Sequence, residues 1–468
     1  MPGKMDLKRF FGTQDMTREK PMTVLLRFSI PLLIGNLAQQ LYNTVDSIIV
    51  GKYIGDTALA AVGTAGPIFT LLLTLLMGIA TGAGILAAQK FGAKDRAALS
   101  RVVGSALFLT VASSAVMTLA GFFLSGPLIY MINPPQEVAE GAIIYLQIIF
   151  LGYLGNSAYN ILSGVLRGMG DSFYPLVYLV AACLLNIVLD LLLVRPMGIA
   201  GVALATILAQ ALSGTLCVFR LTRMKSVIDL NRSTLRPDMG LTKKLFRLGM
   251  PAGLTQAIFS LSAIIVQSLT NSMGEAVIAA NVAIMRVDGF CMLPNFTFGT
   301  AATTYIGQNL GAGKMDRLKP GVNSLLRIAL ICASILVACI LLFGRTLIGL
   351  FTETEAVLEI GVAGLRWLAL GYLGFAVSQV LQGAMRGAGE TMIPMWISII
   401  TTVILRMPMA YALAALTRNA QWPNGQPVAL FSSLLFSWLV GTVMSIVVYK
   451  KDWWRRKLRS STKEDQHD

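Results

Sequence analysis

Residues 151–175, LGYLGNSAYNILSGVLRGMGDSFYP, return at 370–394 as LGYLGFAVSQVLQGAMRGAGETMIP, an offset of 219 without a gap. The pentapeptide LGYLG coincides, as do Gly164/Gly383, Arg167/Arg386, Gly168/Gly387, Gly170/Gly389, the acids Asp171/Glu390 and Pro175/Pro394. The same offset pairs Gln89, Gly92 and Ala93 with Gln308, Gly311 and Ala312, and Pro31 has a counterpart in Pro251. Matches at one fixed spacing are the mark of an internal repeat. The chain therefore reads as two tandem copies of one unit.

Each copy is a membrane unit. The 468 residues are 55% hydrophobic and only 13% charged, with a mean hydropathy of +0.69. A soluble domain of ordinary composition carries roughly 25% charged residues, so most of this surface must face lipid. Apolar runs long enough to span occur near 25–50, 60–88, 102–125, 141–163, 174–194, 198–219, 248–270, 277–304, 322–343, 360–382, 392–416 and 428–449. That is six per copy. An even number of spans makes each copy start on the same side, so the copies are parallel repeats about an axis along the membrane normal. The expected fold is all-α and polytopic, with twelve transmembrane helices in two six-helix lobes. The expected organisation is a cytoplasmic segment 1–24, an N-lobe 25–219, an inter-lobe linker 220–247, a C-lobe 248–449 and a basic tail 450–468.

The net charge of +15 is not gathered on one folded face, which excludes a nucleic-acid partner. It alternates. The N-terminus, the even-numbered connections and the C-terminus hold 29 Lys and Arg, while the other connections hold only Lys52, Arg195, Arg345 and Arg418. By the positive-inside rule both termini are cytoplasmic. Trp453 and Trp454 read as an interfacial anchor of the tail. The first apolar run is too long for a cleavable signal, so the first span is expected to remain. Cys183, Cys217, Cys291, Cys332 and Cys339 all sit in apolar runs without a C-x-x-C spacing and read as small hydrophobes. The lone His467 lies in the tail, so any proton chemistry falls to carboxyl groups.

Polar side chains inside spans are costly and point to function. The first span carries Asn36, Gln39, Gln40, Asn43 and Asp46, spaced by three and four and so mostly on one helical face. The fifth carries Asn186 and Asp190, one turn apart. Two carboxyls sharing a pocket resist double ionisation, and a cation competes with the shared proton. Asn186, Asn156 on the fourth span and Thr206 on the sixth add oxygen ligands. The repeat positions in the second half are Val266 and Met409, so the acidic pocket belongs to the first half alone. The second half has Arg286, Asp288, Arg366 and Arg406, which read as structural charges. Arg286 and Asp288, two apart, do not face each other. Tyr153, Met285, Phe290 and Met292 are candidates for a soft substrate wall, with core packing as the competing reading.

The early proline, NTVDSIIVG at 43–51, AAVGTAGP at 60–67, GQNLGAG at 307–313 and the doubled LGYLG…RGxG-acid motif together resemble the multidrug and toxic compound extrusion (MATE) transporters. The resemblance runs over about residues 20–450 and is closest to the DinF-type branch and its bacterial relatives. It implies two six-helix lobes, alternating access, and export of organic, often cationic, compounds in exchange for H⁺ or Na⁺. It assigns cation coupling to Asp46, Asn186 and Asp190, with Asn156 and Thr206 as the polar ligands around them, and a bend to Pro31. The second acidic site of the NorM-type branch is not matched, since Gln267 stands in the seventh span and the tenth has no acid.

The expectation is thus a secondary antiporter in the bacterial inner membrane, acting as a monomer. Its partners would be small organic substrates and lipids, with no cofactor beyond the coupling ion. A lipid-linked precursor flippase of related fold is the alternative, but it would carry cationic groups along the cleft and often two more helices. No nucleophile–base pair, metal-ligand cluster or phosphate loop supports an enzyme, and two wedge-like lobes do not make the ring-lined pore of a channel.

Overall fold

A computed structural model describes residues 12–132 and 134–452, all of them in helices or short connections. His467 and the anchor residues Trp453 and Trp454 lie outside the described residues. The helices are α1 (Pro21–Tyr53), α2 (Asp56–Gly92), α3 (Arg96–Ile132), α4 (Gln136–Leu151), α5 (Tyr153–Gly168), α6 (Phe173–Met197) and α7 (Ile199–Arg223). Then come α8 (Met239–Ser272), α9 (Glu275–Gly311), α10 (Leu318–Gly349), α11 (Glu355–Gly387), α12 (Met392–Ile399), α13 (Met407–Leu416) and α14 (Val428–Lys450). A π-helical turn, Ile400–Arg406, joins α12 to α13. Among the described residues eleven spans, α12 to α13 counting as one, are long and apolar enough to cross a membrane, and α4 with α5 makes a twelfth bent by 55°. The bend falls at Gly152, where any Cβ would strike the Ile207 side chain of α7.

Several helices outrun the apolar runs that announce them. α3 covers 96–132 where hydropathy marks 102–125, and α8 starts at Met239. Local caps explain the extension. Asp238 Oδ1 accepts the Leu241 N–H at 3.0 Å and Asp95 Oδ1 the Ala98 N–H at 2.9 Å, each satisfying a donor that a helix start leaves open.

The chain divides into two compact units. One holds the described residues up to Gly253 together with Gly307–Met315; the other holds Leu254–Ile306 and the chain from Asp316 onward. The division cuts α8 and α9, so the first turns of α8 and the last turn of α9 belong to the first unit. In that unit Gly78 and Gly82 of α2 pack on the Gly249 and Gly253 backbone, with no room for a Cβ. The last turn of α9 meets the last turn of α2 in the same way. Gly92 abuts the Gln308 carbonyl and Gly311 abuts the Gln89 carbonyl, a reciprocal contact of repeat-related residues.

The N-terminal segment is built into the same place. Met16 is fully buried. Its N–H donates to Gln308 Oε1 at 2.9 Å, and Gln308 Nε2 donates to the Gly168 carbonyl at 3.0 Å. Asn309 and Lys314 donate to the Met16 and Thr17 carbonyls at 3.2 and 2.8 Å.

The doubled motif makes the same local structure twice. A Cβ on Gly164 of α5 would lie 2.5 Å from the Ala80 carbonyl of α2, and Gly383 of α11 meets the Gly299 carbonyl of α9 in the equivalent contact. Small residues here let helix backbones touch, which is how spanning helices associate without a hydrophobic drive. Gly170 and Gly389 end these helices with φ of +86° and +88°, a left-handed turn that favours glycine. The acids that follow cap the next helix. Asp171 Oδ1 accepts the Tyr174 N–H at 3.2 Å and Glu390 Oε1 the Met392 N–H at 3.1 Å.

Candidate functional site

The polar face of α1 leads to an acidic pocket in the first unit. Asp46 of α1 and Asp190 of α6 stand within hydrogen-bonding reach of each other. Asn186 and Asp190, one turn apart on α6, are both fully buried. The Asn186 amide donates to Asp190 Oδ2 at 2.8 Å and accepts the Thr206 backbone N–H of α7 at 3.2 Å. This fixes one carboxylate oxygen. Oδ1 of Asp190 and Oδ1 of Asp46 are buried and unpartnered, a condition that costs free energy unless a proton or cation is supplied.

Two tyrosines complete the pocket. Tyr42 of α1 lies beside Thr206 and Asp46, and Tyr145 of α4 lies in the electrostatic field of both aspartates. Sequence reasoning passed over both. Tyr42 had a signal, since it precedes Asp46 by four and shares its face. Tyr145 had none, because only the tertiary packing brings α4 to this point.

The structure thus gathers Asp46, Asp190, Asn186 and Thr206. Asn156 turns to its own helix, where its Oδ1 accepts Asn160 Nδ2 at 3.0 Å. Along α1, Asn36 and Gln39 are half-buried and Asn43 is exposed. Pro31 is buried inside α1. Proline leaves an i−4 carbonyl without its helical donor, and close by the Phe28 carbonyl accepts the Ser172 hydroxyl at 2.9 Å.

Of the residues considered for a substrate wall, Tyr153 is fully buried in the first unit's core, its hydroxyl 3.4 Å from the Leu72 carbonyl. Phe290 is exposed. Met285 and Met292 do line an open cavity of about 390 Å³ formed by residues of the second unit. Asp288 and Arg406 also reach it. Asp288 pairs with neither Arg286 nor Arg406; its Oδ1 accepts the Tyr372 hydroxyl at 2.8 Å. Gln267 and Val266 line the same cavity, so nothing like the aspartate pair of the first unit stands there.

Chemically, the first unit offers two carboxyls that can hold one proton between them, in a setting where either a proton or a small cation satisfies the same oxygens. Comparisons with known proteins bear on the family and the fold. The MatE family profile matches residues 31–192 and again 251–412, once per repeat. The probable multidrug resistance protein YpnP of Bacillus subtilis is 29% identical over 444 residues, covering 94% of this chain and 97% of that protein. The probable multidrug resistance protein NorM of Thermotoga maritima is 26% identical over 396 residues, covering 83% and 85%. Among solved structures, an outward-facing multidrug resistance MATE family transporter of the MOP superfamily superposes with a TM-score of 0.85 at 25% identity, covering 97% of this chain and 99% of that one.

Proposed function

Because the chain belongs to the MatE family of multidrug transporters, we propose that it is a secondary antiporter that expels drug-like, often cationic, compounds in exchange for H⁺ or Na⁺. It is a multi-pass membrane protein and a transporter rather than an enzyme. The observation that carries the antiport reading is the buried aspartate pair of the first unit. Asp46 and Asp190 reach each other, and each keeps one unpartnered oxygen. A site of this kind releases one ion to bind another, which is the minimum that ion exchange requires.

In this reading Asp46 and Asp190 bind the coupling ion. Asn186 and Thr206 hold Asp190 in place and Tyr42 closes the pocket, while Asn156 is bonded to Asn160 on its own helix. Pro31 weakens α1 so that the helix can bend when the ion changes. The basic connections lie on the cytoplasmic side of the bacterial inner membrane, with both termini, and the chain works as a monomer among lipids without a further cofactor.

The test is transport by purified protein in liposomes. A fluorescent organic cation is offered under an imposed pH gradient and then under an imposed Na⁺ gradient. Movement driven by one gradient identifies the ion. Failure under both would overturn the antiport reading and favour the lipid-linked precursor flippase.

A further inference from the structure

The second unit contains charge that the aspartate pair does not use. Asp288 of α9 and Arg406, the last residue of the π-helical turn, both face the 390 Å³ cavity. They lie close enough to feel each other's field, yet make no ion pair. Asp288 spends one oxygen on the Tyr372 hydroxyl. Arg406 Nε is buried with no hydrogen-bond partner. Opposite charges that share a cavity normally pair, since a charge left alone away from water is costly. A π-turn is a local widening that recurs at functional sites, and Arg406 is the last residue of this one.

The rest of the wall is apolar and aromatic. Phe375 stands between Phe296 and Trp438, at ring-centroid distances of 5.9 and 5.3 Å, and all three line the cavity with Met285 and Met292. The volume falls within the range of small-molecule sites, roughly 300–1,000 Å³.

We infer that the second unit's cavity binds an aromatic zwitterion, its anionic group on Arg406 and its cationic group on Asp288. Neither charge alone explains the site. A simple cation would leave Arg406 unsatisfied and repel it; a simple anion would do the same to Asp288. A compound bearing both, with an aromatic body against Phe296, Phe375 and Trp438, satisfies the two together. This deepens the efflux reading by naming a substrate class. It rests on that reading for the compound's fate, not for its binding.

The test compares three forms of one probe by calorimetry on the purified full-length protein. They are the dipeptide phenylalanylphenylalanine (zwitterion), its methyl ester (cation) and its N-acetyl derivative (anion). The zwitterion should bind at least about tenfold more tightly than either single-charge form, the value of one charge-assisted contact. Arg406→Gln should cost the zwitterion and the N-acetyl form about tenfold while sparing the ester. Asp288→Asn should cost the zwitterion and the ester while sparing the N-acetyl form. Quenching of Trp438 emission, lost in Trp438→Phe, should accompany binding.

Equal affinities for the three forms in wild-type protein would overturn the inference, whatever the variants do. So would absence of zwitterion binding in the millimolar range, or an Arg406→Gln protein that melts like wild type and binds the zwitterion unchanged. These outcomes leave the antiport reading standing, because gradient-driven export of a cation is measured separately.

Discussion

Asp171 is fully buried and, among the described residues, its charge partner is Arg220, which grips one carboxylate oxygen through Nε and an Nη at 3.0 and 2.8 Å. The guanidinium also lies over the Tyr174 ring, 3.6 Å from its centroid. Burial pushes the Asp171 carboxyl above its ordinary range, and Arg220 pulls it part of the way back. Arg220→Leu removes that pull and strands a buried carboxylate, so it should destabilise the protein by about 3–5 kcal/mol near neutral pH. The sign of the pH dependence follows. With its folded-state pKa above the unfolded one, the folded state holds the proton more tightly. Stability is therefore greatest in acid and falls as pH rises through the folded pKa. The deficit of Arg220→Leu should shrink on acidification, and thermal melts in detergent across a pH series will read it.

At the aspartate pair, Asp46→Asn and Asp190→Asn should each abolish gradient-driven efflux of a fluorescent cation while leaving the melting curve in place; full transport by both would remove the site. Tyr42→Phe removes a hydroxyl beside Thr206 and Asp46 and should slow efflux about fivefold, the worth of roughly 1 kcal/mol. The residues of this pocket and of the second unit's cavity differed in how visible they were in the sequence. Asp190 and Asn186 show themselves because helical spacing of four places them together before any tertiary contact is known. Asp288 was legible as a charge and not as a partner of Tyr372, since 84 residues separate the two and no periodicity relates α9 to α11. Arg406 was hidden more deeply, because its position depends on a wide turn that no residue in ITTVILR announces.

At the scale of elements, the doubled glycines set the helix contacts. Gly164→Ala and Gly383→Ala each press a methyl group into a carbonyl of the neighbouring helix. Each should cost about 1–3 kcal/mol, as overpacking does. Gly63→Ala on α2 is the control, because nothing lies within 4 Å of its Cβ position; it should be neutral or slightly stabilising, since alanine is the better helix former. Thermal unfolding of the three variants side by side decides the matter. The elements themselves were readable from hydropathy because the bilayer dictates a span's length. Their ends were not, because capping groups such as Asp238 extend a helix past its apolar run. The bend between α4 and α5 also left no mark in hydropathy; it falls at Gly152, where Ile207 of another helix leaves no room for a side chain.

Across the whole molecule the sequence repeat and the compact units do not share a boundary. The repeat begins its second copy near α8, while the first unit keeps the start of α8 and the end of α9. Hydropathy marks where lipid begins and carries no record of which backbone a glycine touches, so this exchange was invisible beforehand. It gives Gln308 a structural task. Gln308→Leu leaves the buried Met16 N–H and the Gly168 carbonyl unpaired and should cost about 1–3 kcal/mol per group. The segment Gly12–Lys20 should become sensitive to limited proteolysis in that variant and resist it in the wild type.

The reciprocal contact of Gln89 and Gly92 with Gln308 and Gly311 also has a historical meaning. Each motif offers its partner the surface that it takes from it, which is the geometry of an isologous dimer interface. A chain of half this length could therefore have made the contact with a second copy of itself. Gene duplication and fusion would then have required nothing new at that interface. Once joined, the halves were free to diverge wherever this contact was not involved. The interface is symmetric and the acids are not: the contact keeps a dimer's form, while Asp46 and Asp190 have no acidic counterparts at Val266 and Met409.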